Sequence, residues 1–260
     1  MRAARPVSSI QASSSEVALG ALEAHNLRFS LVIPLFNEEE NVDRLVDELR
    51  QVLPPLGEHE VIAVDDGSTD TTFARLQARQ ADYPPLRIVR LRRNRGQSAA
   101  LMAGFDHARA PLLCMLDGDM QNDPRDLGRI LEGLATHDGV SGWRVQRKDT
   151  WFRRLQSRIA NRFRNWISGD RVADSASGIK GFRREAILRV PRFRGMHRFL
   201  PTLVRMTGGS VVEVPVNHRP RAAGTAKYGM LNRALRAFVD LLGVRWLKSR
   251  YLSYEVGETR

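Results

Sequence analysis

Two carboxylates follow an apolar segment near the middle of the chain, and they are the residues whose types and spacing most clearly suggest chemistry. Asp117 and Asp119 stand on either side of Gly118, directly after the run Leu112–Leu116. Such a run predicts a buried strand, and loops at the carboxyl ends of buried strands form the ligand crevice of open α/β sheets. Two aspartates there can share one hard cation that carries phosphate oxygens. An isolated Asp-x-Asp is also common in surface turns, because Asp and Gly accept turn geometry easily.

A second acidic loop upstream favours the metal site over the plain turn. The apolar run at 61–64 leads directly into Asp65 and Asp66, with Ser68 two residues further on. Parallel strands end at the same edge of a sheet, so both acidic loops are expected to line one crevice. The sequence therefore points to a metal-assisted enzyme that acts on a phosphorylated substrate.

Strand and helix patterns alternate around these loops. Strands are predicted at 29–34, 61–64, 86–91 and 112–116, and helices at 38–52, 71–80, 97–108 and 124–136. This order predicts an α/β fold with a Rossmann-like, mostly parallel sheet flanked by helices. Neither a Gly-x-Gly-x-x-Gly turn nor a P-loop is present, so phosphate charge must be handled by carboxylates around a divalent ion.

Length and composition limit the remaining possibilities. A chain of 260 residues with 42% hydrophobic content can bury one sizeable core. The single Cys114 excludes an internal disulfide, and its apolar setting predicts a buried thiol in a reducing compartment. Residues 1–27 lack the apolar core of a signal peptide and are expected to form a mobile extension. No run approaches the roughly 18 apolar residues of a membrane-spanning helix.

The charge is concentrated in one block. Residues 142–198 contain sixteen Arg or Lys against four Asp or Glu, whereas the rest of the chain holds 25 of each sign. Such a block suggests nucleic acid, anionic lipid or a phosphorylated substrate as partner, or else a solvated surface. A nucleic-acid-binding module is the remote alternative, because no recognition motif or aromatic stacking signature accompanies the charge.

Two amphipathic stretches suggest peripheral membrane contact. Apolar residues recur at helical spacing through 151–168, with arginines between them, as in an interfacial helix. Packing of this stripe on the catalytic domain is the alternative. A second stretch, within the amphipathic segment 230–260, repeats the pattern with Leu231, Leu235, Phe238, Leu242, Trp246 and Leu247.

Four ordered motifs resemble inverting family 2 glycosyltransferases of the GT-A fold. They are Val32-Ile33-Pro34-x-x-Asn37-Glu38-Glu39, Val64-Asp65-Asp66-Gly67-Ser68-x-Asp70, Asn94-x-Gly96 and Asp117-Gly118-Asp119-x-Gln121. The chain looks most similar to dolichol-phosphate and polyprenyl-phosphate sugar transferases, such as the mannosyltransferases, because the carboxyl half also matches. Those further matches include Gly142-Trp143-Arg144, Arg153-x-Leu155-x-Ser157, Asp174-x-x-Ser177-Gly178 and Gly224-Thr225-x-Lys227-Tyr228. The likeness places the catalytic domain at about 28–229.

The resemblance implies a metal-dependent transferase that moves a sugar from GDP-mannose or a UDP-sugar to a polyprenyl or dolichyl phosphate. A soluble or glycan acceptor is the alternative. The implied donor-binding residues are Pro34, Phe36, Glu38, Asp65, Asp66, Ser68, Gly96, Asp117 and Gly118. The implied ligands of Mg²⁺ or Mn²⁺ are Asp117, Asp119 and Gln121, although Asp117 could instead touch the ribose or the sugar. The implied catalytic residues are Asp119, Asp174, Arg144 and Arg153.

The implied roles of Arg144, Arg153 and Asp174 each have a structural alternative. The resemblance implies that Arg144 and Arg153 hold the acceptor phosphate. Because this block of the chain is so basic, either could instead be a surface charge. The resemblance also implies that Asp174 contacts the transferred sugar. The alternative is that Asp174 only caps a helix or forms a turn. Many lipid-phosphate sugar transferases continue into transmembrane helices. This chain ends at Arg260, so we expect a peripheral position on the cytoplasmic face of the membrane.

Overall fold

A single sheet organises the computed structural model, which describes residues 26–144, 177–219 and 230–252. Within these ranges the strands are β1 (Phe29–Leu35), β2 (His59–Asp65), β3 (Leu86–Arg90), β4 (Leu112–Leu116), β5 (Gly139–Arg144), β6 (Ile179–Arg183) and β7 (Val211–Val216). Their order in the sheet is β3-β2-β1-β4-β6-β5-β7. Arg153, Asp174, the stripe at 151–168 and the motif at 224–228 lie outside the described residues, as does the predicted extension up to residue 25.

The strand directions confirm a mostly parallel sheet. β1 lies between β2 and β4 and is parallel to both, and β3 is parallel to β2. β6 is antiparallel to its neighbours β4 and β5, whereas β5 and β7 are parallel. The strands that lead into the two acidic loops are therefore not adjacent, but they flank β1 and end at the same edge.

Helices pack on both faces of this sheet. In the described ranges they are α1 (Val42–Val52), α2 (Thr72–Gln80), α3 (Gln97–His107), α4 (Leu127–Gly133), α5 (Arg184–Leu188), α6 (Leu200–Met206) and α7 (Met230–Arg250). One apolar cluster packs α1, α2 and α4 against one face, and a second packs α3, α5, α6 and α7 against the other. Alternating side chains of β1 divide between the clusters, with Leu31 and Ile33 in the first and Val32 in the second.

The amino-terminal ends of the central strands are closed by a buried polar network. Glu60 of β2, only 4% exposed, accepts hydrogen bonds from the Ser30 hydroxyl of β1 and from the backbone N–H of Arg109. Arg87 of β3 completes the network with an ion pair to Glu60. Buried polar groups are costly unless they are paired, and these are paired with one another. The functional groups of the open edge lie at the opposite, carboxyl ends of the strands.

Helix α7 packs on the second cluster with only part of its surface. Leu241 and Val244 are buried in that cluster, and Leu247 is partly buried against it. On the adjoining surface Phe238, Leu242 and Trp246 are 40%, 46% and 64% exposed. The side chains of Leu231 and Leu235 lie outside the described residues. None of the helices in the described ranges combines the length and apolar content that crossing a bilayer requires.

Candidate functional site

The loop after β2 carries two buried carboxylates with different partners. Asp65 Oδ1 accepts from the backbone N–H of Ser68 at 2.9 Å. Its Oδ2 lies 3.1 Å from Nε of Arg90, yet within the described residues no donor reaches this oxygen with hydrogen-bond geometry. Asp66 accepts at both oxygens, from the backbone N–H groups of Arg95 and Gly96 at 2.7 and 2.8 Å. Asp65 is thus held by Ser68 and paired with Arg90, whereas Asp66 holds the loop that precedes α3.

A glycine allows these two loops to meet. Gly67 has φ +68°, and a Cβ placed on it would lie 2.6 Å from the backbone carbonyl carbon of Arg93. Only a residue without a side chain accepts both that conformation and that contact. On the other side the loop is joined to the end of β1, because the Ser68 hydroxyl accepts from the backbone N–H of Asn37 at 3.0 Å. The residues after β1 and β2 therefore form one continuous wall.

The loop after β4 places Asp117 at the centre of the crevice. Gln97, the first residue of α3, donates its side-chain amide to Asp117 Oδ1 at 2.8 Å. A Cβ placed on Gly178 would lie 2.2 Å from Asp117 Oδ2, so this carboxylate oxygen occupies the space beside the glycine. A Cβ placed on Gly118 would lie 2.3 Å from Cδ2 of Leu35, the last residue of β1, so this glycine also packs tightly. The Asp117 carboxylate is therefore fixed from two sides at the carboxyl end of the central strands.

The surroundings of Asp117 disfavour its ionised form in the absence of a cation. Burial raises the pKa of Asp117 to about 7, and the negative charge of Asp119 adds to the rise. The positive charges of Lys180 and Arg144 oppose it, as does the Gln97 hydrogen bond. Lys180 is itself only 2% exposed, and its ammonium donates to the backbone oxygen of Ser177. Two neighbouring carboxylates in such a setting form a site that a divalent cation would stabilise.

Asp119 and Gln121 lie on a strained and firmly anchored turn. Met120, between them, has φ +62° and is buried, a conformation uncommon for residues other than glycine. Asp119 Oδ1 accepts from the backbone N–H of Gln121 at 3.2 Å. Arg219 donates its backbone N–H to the Gln121 carbonyl oxygen at 2.8 Å, and its guanidinium forms ion pairs with Asp123 and Glu48. These contacts hold the turn in one geometry.

The described residues contain no cluster of three or more His, Cys, Asp or Glu side chains that could enclose a metal ion. Asp117 and Asp119 instead bring two carboxylates close enough for the charge of Asp119 to raise the pKa of Asp117. Mg²⁺ is commonly held in this way, by one or two carboxylates, with water and substrate phosphate oxygens completing its coordination. Arg144, the last residue of β5, acts on Asp117 through its charge and brings a basic group to the same edge. The arrangement suits a substrate that carries a diphosphate.

The chain matches known proteins over most of its length. The family model described as glycosyl transferase family 2 matches residues 30–190, a span that contains both acidic loops. Over 228 residues the chain is 39% identical to dodecaprenyl-phosphate galacturonate synthase of Rhizobium johnstonii, covering 84% of this chain and 67% of that protein. The chain belongs to glycosyl transferase family 2. It is a glycosyltransferase, as the motifs predict.

Solved structures confirm the GT-A fold of the transferase. A mannosyltransferase from Pyrobaculum calidifontis, solved with GDP-Man and Mn²⁺, superposes with a TM-score of 0.59 at 21% identity, over 90% of this chain and 77% of that chain. Glucosyl-3-phosphoglycerate synthase from Mycobacterium tuberculosis, solved with Mg²⁺ and UDP, gives a TM-score of 0.63 at 18% identity, over 94% and 84%. At these identities the likeness establishes the architecture of the transferase.

The crevice of the transferase brings together most of the residues that the sequence singles out. Pro34 and Phe36 lie at the end of β1, and the Glu38 carboxylate accepts from the Asn41 side chain at 2.7 Å. Gly96 immediately precedes α3, where its N–H binds Asp66. The other described members are Asp65, Ser68, Asp117, Gly118, Asp119, Gln121 and Arg144. Their individual functions, and those of Arg153 and Asp174 outside the described residues, stay predictions.

Sequence reasoning missed four residues that position these groups. They are Gln97, Lys180, His197 and Arg219. Gln97 follows the Asn94-x-Gly96 motif and begins a helix, a position from which a long polar side chain can reach the neighbouring loop. The other three give no comparable signal, because each acts on a group that is distant in the sequence. These groups are Asp117 for Lys180, Ser98 for His197 and Glu48 for Arg219.

Proposed function

We propose that the enzyme transfers a sugar, with inversion, from a nucleotide-sugar donor to a polyprenyl phosphate at the cytoplasmic face of the membrane. The observation that carries this proposal is the 39% identity to dodecaprenyl-phosphate galacturonate synthase across 84% of the chain. The acidic crevice of the structure supplies groups suited to such a donor. A soluble or glycan acceptor is the alternative within the same enzyme class.

Asp119 and Gln121, with Asp117, are the residues that would hold Mg²⁺ or Mn²⁺. Support comes from the raised pKa of Asp117, whose burial and proximity to Asp119 leave a negative site that a cation would neutralise. Similar folds have been solved with Mn²⁺ or Mg²⁺. When bound, a divalent ion offsets the negative charge that gathers on the departing nucleoside diphosphate.

The nucleoside is assigned to the wall formed by the loops after β1 and β2. Asp65 lies at the end of β2 in this wall, and we assign its carboxylate, which pairs with Arg90, to accept an N–H of the base. Ser68 uses its oxygen as an acceptor for Asn37, and its hydroxyl proton can be donated to a ribose or phosphate oxygen. Pro34, Phe36 and Glu38 extend this wall along the end of β1.

The acceptor oxygen performs the chemical step directly. In an inverting transfer it attacks the anomeric carbon as the bond from that carbon to the diphosphate oxygen breaks. A phosphate monoester is already anionic at neutral pH, so it needs little or no general base. We assign Arg144 and Arg153 to hold this phosphate and Asp174 to contact the sugar. The charge of Arg144 already reaches the Asp117 site, which supports its assignment.

Helix α7 offers a surface for peripheral membrane contact beside the crevice. Its Asp240 forms an ion pair with Arg198 at 3.6 Å and packs against Gly195, so the helix is joined to the turn that precedes α6. The exposed side chains of Phe238, Leu242 and Trp246 lie next to exposed Arg245, Lys248 and Arg250. Exposed apolar residues flanked by cations are typical of helices that lie in an anionic membrane interface.

Product partition between solvents tests the acceptor class. Radiolabelled UDP-galacturonate, UDP-glucose and GDP-mannose are each incubated with enzyme, Mg²⁺ or Mn²⁺, undecaprenyl phosphate and a mixture of water-soluble glycans, followed by organic extraction. We expect label from at least one donor to enter the organic phase. Label transferred only to water-soluble glycans would establish the alternative acceptor, and absence of transfer from every donor would refute the proposal for this panel.

A matched pair of variants tests the acidic turn. Asp119→Ala should abolish transfer and weaken metal-dependent nucleotide binding, because the charge that would hold the cation is lost. Asp106→Ala removes an aspartate that pairs with Arg192 on the surface and should leave both unchanged. Unchanged metal-dependent nucleotide affinity in folded Asp119→Ala would contradict the assignment.

A further inference from the structure

A turn far along the chain reaches the start of α3 and meets a serine there. Nδ1 of His197 lies 2.8 Å from Oγ of Ser98, the second residue of α3. The same serine oxygen accepts the backbone N–H of Gly195 at 3.0 Å. Because it takes one hydrogen bond from the backbone, Ser98 is held in place and in turn fixes the imidazole ring.

The ring nitrogen that carries the proton depends on the direction of the hydrogen bond between Ser98 and His197. The Ser98 hydroxyl has one proton to donate, and Nδ1 of His197 is the acceptor that the described residues place within reach of it. With Nδ1 accepting, the neutral ring carries its proton on Nε2. Burial lowers the pKa of His197 to about 3, and the charges of Arg198 and Lys180 act in the same direction. The ring is therefore neutral at physiological pH.

The imidazole lies beside the crevice. Ser98 directly follows Gln97, whose side chain binds Asp117, so consecutive residues of one helix turn hold His197 and Asp117. The charge of Lys180 is close enough to shift the pKa of both. Within the described residues, the hydrogen bond of His197 is confined to Nδ1, and the side chain is half-buried rather than enclosed. In the tautomer with the proton on Nε2, this N–H has no hydrogen-bond acceptor among the described residues.

We propose that His197, oriented by Ser98, is a substrate-binding residue whose Nε2–H donates a hydrogen bond to an oxygen of the nucleotide-sugar donor. This inference rests on the proposed function. The acceptor atom is a sugar hydroxyl or a β-phosphate oxygen, which present the same chemistry to a neutral N–H. A neutral ring suits this task, because it donates a hydrogen bond without adding a further charge beside Lys180 and Arg198.

Substitutions that keep one ring nitrogen at a time test the inference. The amide of asparagine occupies the approximate position of Nδ1, and that of glutamine the approximate position of Nε2. Binding of UDP-galacturonate, UDP-glucose and GDP-mannose, and of UDP and GDP alone, is measured by calorimetry with Mn²⁺. His197→Ala and His197→Asn should weaken sugar-nucleotide binding about fivefold, the effect of one neutral hydrogen bond. His197→Gln should bind nearly as tightly as the wild type.

The pattern of losses identifies the accepting oxygen. Weakened binding of the nucleoside diphosphate alone would place the contact on the β-phosphate. Weakened binding confined to the sugar nucleotide would place it on the sugar. The inference is overturned if all three variants bind like the wild type, or if His197→Asn retains affinity that His197→Gln loses, since the ring would then act only through Ser98. If the wild type binds none of the sugar nucleotides, the proposed function itself fails along with this inference.

The tautomer provides a readout independent of binding. Nitrogen-15 spectra of histidine-labelled protein, with the His197 signals assigned by their loss in His197→Asn, should show the proton on Nε2. Ser98→Ala should redistribute that proton between the two nitrogens, and Ser98→Thr, which keeps a hydroxyl, should restore it. A proton on Nδ1 in the wild type would overturn the inference. Thermal denaturation of each variant verifies that the fold is retained.

Discussion

Replacing Gly178 by alanine should displace the Asp117 carboxylate without removing any functional group. A Cβ at this position lies 2.2 Å from Asp117 Oδ2 and 2.5 Å from Asn122 Nδ2, whereas ordinary contact begins at 3.4 Å. Asn122 is only 5% exposed and has little room to move, so the carboxylate must give way against the Gln97 hydrogen bond that holds it. Asp117 is therefore expected to shift by about 1 Å, a misplacement that can cost on the order of 100-fold in rate at a reacting centre.

The same substitution should cost modest stability. Overpacking of this kind typically costs about 1 to 3 kcal/mol, less than the ~5 to 15 kcal/mol that holds a domain folded. Urea denaturation measures the loss, and turnover together with metal-dependent nucleotide binding measures the functional effect. We expect Gly178→Ala to remain folded and to lose turnover far more than stability.

Gly128 provides the matched control. It lies in α4, and a Cβ there meets only Leu56, at an ordinary 3.6 Å. Gly128→Ala should leave turnover unchanged and raise the free energy of unfolding by roughly 0.5 to 1 kcal/mol, because alanine has the higher helix propensity. Wild-type turnover and affinity in Gly178→Ala would refute the reasoning, since Asp117 would not need the position in which the structure holds it.

Three further outcomes are expected. The folded-state pKa of Asp117, about 7, lies above the ordinary carboxyl value. The stabilising contribution of this group to the metal-free enzyme is therefore complete below about pH 4, and it is lost as the pH rises through 7. Asp117→Asn should make the free energy of unfolding, measured by urea denaturation, depend less on pH in this range. An unchanged pH dependence would mean that another group causes it. Arg144→Ala should raise the KM for polyprenyl phosphate by about 10- to 100-fold, the effect of a charge-assisted hydrogen bond, with donor affinity unchanged in calorimetry; loss of donor affinity instead would contradict the acceptor role. Replacing Phe238, Leu242 and Trp246 by serine should weaken flotation with phosphatidylglycerol vesicles and leave the melting temperature within a few degrees, whereas a wild type that never floats would exclude this surface as a membrane contact.

The amino-terminal half of the fold could be predicted because its strands are apolar runs. The strand Leu112–Leu116 begins and ends at the predicted residues, and α3 ends one residue before its predicted end. The first helix begins at Val42 instead of residue 38, because Glu38 and Asn41 bind each other through a backbone and a side-chain hydrogen bond. Propensity alone does not reveal such a local turn ahead of a helix.

The strands of the carboxyl half are much harder to recognise. The strand Ile179–Arg183 contains Lys180, which is 2% exposed, so its pattern does not read as a buried strand. Lys180 tolerates burial because its ammonium binds the Ser177 carbonyl oxygen and lies in the field of Asp117. The compensation by Asp117 comes from tertiary structure, since the two residues are distant in the sequence. Likewise the tie between Ser98 and His197 joins residues 99 positions apart, which no local pattern encodes.

The start of α3 explains how these separate loops act as one site. Its first backbone groups and side chains bind three different segments: the Gly96 N–H binds Asp66, the Gln97 amide binds Asp117, and the Ser98 hydroxyl binds His197. A helix packed on the sheet is rigid, so the three bound groups keep fixed positions relative to one another. The turn that carries His197 is in turn joined to α7 through Gly195 and Arg198. Helix α7 is therefore connected, through one turn and one helix start, to the residues assigned to the donor.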